Sequence, residues 1–346
     1  MQRSLRPAGL VLLALATYLA ITSAVRAVLP PTEESETHDK LAYLADHRDD
    51  FTALILGSSA MFRGLDPRVV DPIVREHVPD FRSFNLGVRG LRGYEGDRLL
   101  REAVATMGPQ LRYLVLEPND WSPVVNPWMR GTRRDRDWHD LLQGSRVIAA
   151  SLDPAYDAGV RETWLPYHVE SFFHRLGNYG ERDRLWELVR GVTPEPYVTE
   201  EQLDRGRGYV SIEESLGERW RDRVDLFLFD TAQYEADVRS LASGEVVPLA
   251  PTALHYHRAQ LAWCEAHGLE VVHVVPPFAS GARFVAPLVE GGDAPRLAAF
   301  NDPVRFPRFY AIEARIDEEH LQAGPAKEFS RLAAERIADL LSEGGE

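Results

Sequence analysis

Cysteine and lysine are almost missing from this chain of 346 residues. Cys264 is the one cysteine, which excludes an intrachain disulfide and a cysteine-ligated metal cluster. It falls in a helix expected over 252–267, as a small apolar core residue with no local signature of a nucleophile. Lys40 and Lys327 are the only lysines, so nearly all the basic charge is arginine. Excess positive charge is missing too. The chain carries 53 acidic against 39 basic side chains, a net charge of -14, whereas phosphate backbones need clustered cations. Nucleic acid is therefore excluded as a partner. No internal repeat is present. What the chain does have is 45% apolar residues, enough to bury one large α/β core with an insertion, or two domains.

The N-terminal segment differs from the rest. Arg3 and Arg6 precede a stretch, 8–25, that holds no charged residue, and Glu33, Glu34, Glu36 and Asp39 follow it. About 20 apolar residues cross a bilayer. The expectation is a transmembrane helix over 8–29, with 1–7 cytoplasmic by the positive-inside rule and the remainder outside the cytoplasm. A cleaved signal peptide, with Val25-Arg26-Ala27 as its cleavage site, is the competing reading and exports the same domain. The polar, acidic stretch 30–50 begins with Pro30-Pro31 and reads as a tether.

Beyond it, short apolar strands alternate with helices. Strands are expected at 53–56, 83–86, 113–116 and 271–275, and helices at 67–77, 95–107 and 252–267. A last amphipathic helix is marked by Phe329, Leu332, Ala333, Ile337, Leu340 and Leu341. This rhythm indicates a parallel sheet with crossovers, an α/β domain over 51–346. It breaks over 121–250, which reads as a large, mainly helical insertion or cap.

The residues with chemical potential cluster at strand ends. Leu54-Ile55-Leu56-Gly57-Ser58-Ser59 puts two hydroxyls on the turn after the first strand, at the carboxyl edge where open α/β sheets bind ligands. Far downstream, Asp317 and His320 supply a carboxylate and an imidazole three residues apart, just before the last helix. A serine hydroxyl is a poor nucleophile unless a histidine takes its proton and a carboxylate orients the ring. Donors must also face the developing oxyanion, each worth about a few kcal/mol. The Ser59 N–H, the Gly90 N–H after the second strand and the Asn119 side-chain amide after the third are candidates. Ser58 is the fallback nucleophile. Arg63 and Arg89 fall near the same edge and could meet a substrate anion. His255 and His257, at i and i+2, point apart on a helix and make no metal pair, so no metal is expected.

Gly57-Ser58-Ser59, Asn85-Leu86-Gly87-Val88-Arg89-Gly90, Glu117-Pro118-Asn119-Asp120 and Asp317-Glu318-Glu319-His320 together resemble, in order and placement, the four blocks of the SGNH (GDSL-like) hydrolase family. The resemblance covers 51–120 and 254–341. It implies a flavodoxin-like three-layer α/β/α sandwich with a central parallel sheet. It further implies Ser59 as nucleophile, His320 as base, Asp317 as its orienter, and Ser59, Gly90 and Asn119 as the oxyanion hole. Two positions depart from the family pattern: Ser58 stands where an Asp is usual, and Glu117 where a Gly is usual. The Gly-Ser-Ser form is similar to that of membrane-tethered members related to the alginate O-acetylation factors and the teichoic-acid alanylation protein. The implied function is an exported, membrane-anchored serine acyl-esterase or O-acyltransferase. It would act on O-acyl, chiefly O-acetyl, groups of a periplasmic or extracellular cell-envelope glycan or polymer. No cofactor is required, and a membrane-bound acyl donor protein is the partner implied for the transferase form. The alternative is a catalytically inactive scaffold that binds a cell-surface polymer or a membrane complex.

Overall fold

A computed structural model of the chain describes residues 5–28, 36–177, 189–191, 196–279 and 284–343. The chain divides into two compact units, 36–122 with 198–346, and 1–35 with 123–197.

The first unit holds a five-stranded parallel sheet in the order β2-β1-β3-β4-β5. The strands are β1 (Ala53–Leu56), β2 (Ser83–Asn85), β3 (Tyr113–Leu116), β4 (Glu270–Val275) and β5 (Leu297–Ala299). β1 is buried along its whole length, as a central parallel strand must be. Leu54 pairs with Phe84 on one side and with Leu114 on the other. Successive connections leave β1 in opposite directions, towards β2 and then back past it to β3. This reversal opens a crevice at the carboxyl ends of β1 and β3, where such sheets bind ligands.

Helices of this unit are α2 (Glu36–Asp46), α3 (Ser59–Gly64), α4 (Pro67–Val74) and α5 (Gly93–Met107) before the chain leaves it. Alternate strand residues Ala53, Ile55, Tyr113, Val115, Val272 and Val274 form one core face. Val70 and Val74 of α4 pack on that face, with Phe329, Ala333 and Ile337 from the C-terminal helix Ala323–Ser342. The spacing of those last three is the apolar stripe legible in the sequence.

The second unit contains α1 (Leu5–Val28), α6 (Arg133–Asp137), α7 (Leu141–Ser151) and α8 (Ala158–Leu176). Its interior is polar in places. His139 and His168 are fully buried and bonded ring to ring at 2.9 Å. Burial, first, lowers both imidazoles, His139 to about 3 and His168 to about 4.

After this excursion the chain returns with α9 (Glu200–Gly206), α10 (Ile212–Leu216), α11 (Trp220–Phe229) and α12 (Ala232–Ala242). It then runs through α13 (Pro251–Ala266), α14 (Val285–Glu290), α15 (Pro307–Tyr310) and α16 (Ala323–Ser342).

Several sequence expectations need adjustment. The stretch 30–50, read as a tether, carries α2, whose Glu36, Lys40, Tyr43 and Leu44 are buried in the sheet-bearing unit. The expected insertion 121–250 is narrower, because 198–250 belongs with the sheet and only 123–197 groups elsewhere. Strand β5 and helix α3 have no counterpart among the expected elements. The expected span 8–29 falls on α1, a helix of 24 residues, several of whose side chains lie outside the described residues. Among the described residues no helix is long and apolar enough to cross a membrane.

Candidate active site

The turn after β1 is shaped by the absence of a side chain. A Cβ on Gly57 would lie 2.5 Å from Glu117 Oε2 and 2.5 Å from Met61 Cγ, so only glycine fits. Ser58 is extended (φ -71°, ψ -172°) and caps α3, its hydroxyl accepting the Ala60 N–H at 3.2 Å. Ser59 is the first residue of α3 and is 8% exposed. Among the described residues no hydrogen bond engages its hydroxyl or its N–H.

The second turn is held against the first. Val88 N–H donates to Gly57 O at 2.9 Å, and a Cβ on Gly87 would strike Phe62 N at 2.7 Å. Gly90 takes φ +63°, a left-handed conformation that side chains resist, and its N–H also has no partner among the described residues. From the other side α2 pins this loop. Lys40 Nζ donates to Asn85 O at 3.0 Å and Gly87 O at 2.6 Å, and sits 3.5 Å over the Phe62 ring. Glu36 Oε1 accepts the Arg89 N–H at 2.8 Å. Burial, the dominant effect, drives the Lys40 amine well below the usual lysine range, against the opposing charge of Glu36.

After β3, Glu117 is buried and turns towards Ser58 rather than outwards. Its Oε2 accepts the Ser58 N–H at 2.5 Å and its Oε1 accepts the Ser58 hydroxyl at 3.1 Å. Burial pushes its carboxyl up to about 7, against the pull of those two bonds; Glu319 adds to the rise and Arg92 opposes it. Asn119 Nδ2 donates to Leu91 O at 3.4 Å; among the described residues its second amide hydrogen and its buried Oδ1 have no partner.

Asp317 and His320 sit in a tight turn closed by the bridge between Arg315 and Leu321, not in a helical turn. The last helix begins later, with Gln322 at its N-cap position, so Asp317 is not its N-cap. Asp317 Oδ1 accepts the N–H groups of Glu319 and His320, both at 2.8 Å. His320 Nδ1–H donates to Oδ1 at 2.7 Å and lies 2.9 Å from Oδ2. Arg223 of α11 adds an ion pair to Oδ2 at 2.5 Å. Burial alone would raise the Asp317 carboxyl, but the bond from His320, the charge of that ring and Arg223 together hold it below the usual carboxylate range. The loop itself is fixed by buried Arg315, which donates to Pro277 O at 2.7 Å and Glu318 O at 2.5 Å.

With Nδ1 committed to Asp317, the lone pair of His320 lies on Nε2. That ring lines a small cavity of about 10 Å³ together with Ala60, Arg63 and Gly64 of α3 and Pro276-Pro277 after β4. The imidazole thus neighbours the helix that Ser59 opens. Among the described residues no hydrogen bond joins it to either serine hydroxyl. A second, open cleft of about 640 Å³ runs from Asp317 and Glu319 along Leu216, Arg219, Arg223, Leu226 and Phe227.

The two arginines expected to meet substrate are occupied. Arg63 is buried, donating to Val210 O at 2.7 Å and Ser215 Oγ at 3.1 Å, with its guanidinium 4.0 Å over Phe62. It is a structural cation, because α9–α10 cover it. Arg89 Nε pairs with Glu36 at 3.3 Å, and its side chain is 40% exposed. Among the described residues no group of three or more His, Cys, Asp or Glu could hold a metal ion.

Sequence reasoning did not assign roles to Glu117, Arg223 or Lys40. The rarity of lysine was a signal for Lys40; nothing in the sequence marks Arg223 among so many arginines.

No family model matches the chain, and no curated protein matches it.

Proposed function

We propose that this chain is a serine acyl-esterase or O-acyltransferase of the SGNH type, built on a flavodoxin-like α/β/α fold. One observation carries the reading. The His320 ring, oriented by Asp317 and free at Nε2, lines the same cavity as the first turn of α3, where Ser59 stands with an uncommitted hydroxyl and N–H.

In this mechanism Ser59 Oγ attacks the ester carbonyl carbon while His320 Nε2 takes the hydroxyl proton. Asp317 holds the Nδ1–H and balances the charge gained by the ring. The oxyanion is met by the N–H groups of Ser59 and Gly90 and by Asn119 Nδ2–H. The C–O bond of the ester breaks, and the departing oxygen receives the proton from Nε2. A water or a glycan hydroxyl then attacks the acyl-enzyme, giving its proton to His320 Nε2; the bond from the acyl carbon to Ser59 Oγ breaks, and Nε2 returns that proton to Oγ. No cofactor enters this scheme.

The sequence feature behind a membrane anchor, with the sheet domain outside the cytoplasm, is the uncharged stretch 8–25, with Arg3 and Arg6 before it and Glu33, Glu34 and Glu36 after it. A cell-envelope glycan or polymer is the substrate class proposed with that location, and a membrane-bound acyl donor the partner of a transferase.

The test is a fluorophosphonate probe applied to the full chain. One label on Ser59 is expected, absent in Ser59→Ala and strongly slowed in His320→Ala. Labelling that survives Ser59→Ala and disappears in Ser58→Ala would move the nucleophile to Ser58. A second reading, an inactive scaffold that binds a polymer or membrane complex, draws on the missing Ser59–His320 hydrogen bond. It requires a folded chain that takes no label. Acetyl transfer to an oligosaccharide, against simple release of acetate, separates transferase from esterase.

A further inference from the structure

The carboxylate of Glu117 grips the residue beside the proposed nucleophile with both oxygens. Oε2 takes the Ser58 N–H at 2.5 Å and Oε1 takes the Ser58 O–H at 3.1 Å. The Ser58 hydroxyl in turn accepts the Ala60 N–H at 3.2 Å, so one side chain ties the end of β3 to the first turn of α3 across Ser59. The backbone makes room for this grip at Gly57, where any Cβ would overlap Glu117 Oε2 and Cβ. Position 117 is also where the chain departs from the family pattern, as does 58. A carboxylate is missing at 58 and present at 117, and the two residues touch. The local structure therefore keeps a carboxylate beneath the serine turn but delivers it from the neighbouring strand.

Resting on the reading of Ser59 as nucleophile, we propose that Glu117 is a positioning residue. It acts as a carboxylate clamp that fixes the Ser58 peptide and hydroxyl, and through them the direction of Ser59 Oγ and Ser59 N–H.

The clamp is complete only when Glu117 is ionised. Both its oxygens then accept, which matches the two donors Ser58 presents. A proton on Oε1 reverses that bond, making Glu117 the donor and forcing the Ser58 hydroxyl hydrogen elsewhere. The groups that set this ionisation are Ser58 itself, Glu319 from the His320 loop and Arg92 from the loop before α5. With burial holding the carboxyl near 7, the clamp opens as pH falls through neutrality. Ionisation of Glu117 should therefore add a partial step to the acid limb.

Glu117→Gln tests this, because the amide presents one acceptor and one donor and so imitates the protonated clamp. The readout is kcat/KM for p-nitrophenyl acetate across pH 5–9, with full-length protein whose circular dichroism matches wild type. Wild type should show a partial step of about tenfold on the acid side of neutrality that Glu117→Gln lacks. At pH 8 the variant should lose about tenfold or more in kcat with KM within about twofold, as expected for a group acting on the reacting geometry. A variant with wild-type kcat and the same acid step as wild type overturns the proposal. If Glu117→Gln does not fold, the pH dependence of fluorophosphonate labelling of wild type decides alone: a partial step near neutrality supports the clamp, and its absence overturns it. Wild-type labelling of Ser59 with an indifferent Glu117→Gln removes only Glu117. No labelling of wild type at any pH removes the nucleophile reading and the clamp with it.

Discussion

Asp317 shows how much of the proposed relay rests on one carboxylate. It accepts two backbone N–H groups, the imidazole N–H and the Arg223 guanidinium. Asp317→Asn would keep the shape but remove the charge and offer the wrong partner to Nδ1. A loss of about 10³–10⁴-fold in kcat is expected with p-nitrophenyl acetate, by analogy with the aspartate of serine proteases. Glu117 makes a different contribution, seen in stability. Its carboxyl is raised from 4.5 to about 7 in the folded chain, so between those values the native state binds a proton that the unfolded state has released. Stability from this group is present at low pH and is lost as pH rises through about 7. The difference is worth about 3 kcal/mol at most. Urea unfolding of Glu117→Gln against wild type should show the variant gaining in relative stability by that order between pH 4.5 and pH 7.5. A constant difference across that window would mean the carboxyl titrates elsewhere. Gly57 completes this scale. Gly57→Ala drives a methyl into Glu117 and Met61, and a loss of about 1–3 kcal/mol is expected, read as a lower urea midpoint.

Among the elements, α2 has the least obvious task. It buries one of only two lysines of the chain under the loop that carries Gly90. Lys40→Met would strip the donors from Asn85 O and Gly87 O, at about 1–3 kcal/mol for each buried carbonyl left unpaired. A larger effect on kcat than on KM is expected in steady-state esterase assays, since the donor proposed on this loop acts on the oxyanion rather than in ground-state contacts. An unchanged kcat in a folded variant would separate α2 from the site. The elements also show what sequence patterns convey. β1 and β3 were legible to the residue, because four-residue apolar runs bounded by glycine or proline have few other fates. Asp317 and His320 were legible because the pair is local. β5 was not, since Leu297–Ala299 is too short to show a period. α2 was hidden by the prolines and acids before it, and α3 by its six residues. Glu117 was visible as an anomaly, but its grip on Ser58 depends on strand order, which no local pattern specifies.

Taken whole, the chain is an acidic α/β protein with a sheet of order 2-1-3-4-5, whose candidate site lies where β1 and β3 part. The net charge of -14 disfavours polyanions in general, so an anionic polymer would have to engage local cations such as Arg219 and Arg223 along the cleft. The anchor proposed for α1 belongs to this scale. Full-length protein should sediment with membranes and resist both high salt and alkaline carbonate, while release by either would rule out a spanning helix. The scarcity of lysine has a practical side. Lys40 is sealed inside the protein, whereas Lys327 lies exposed on α16. Among side chains, an amine-reactive dye should therefore attach to the native chain at Lys327 alone, a single lysine handle seven residues beyond His320.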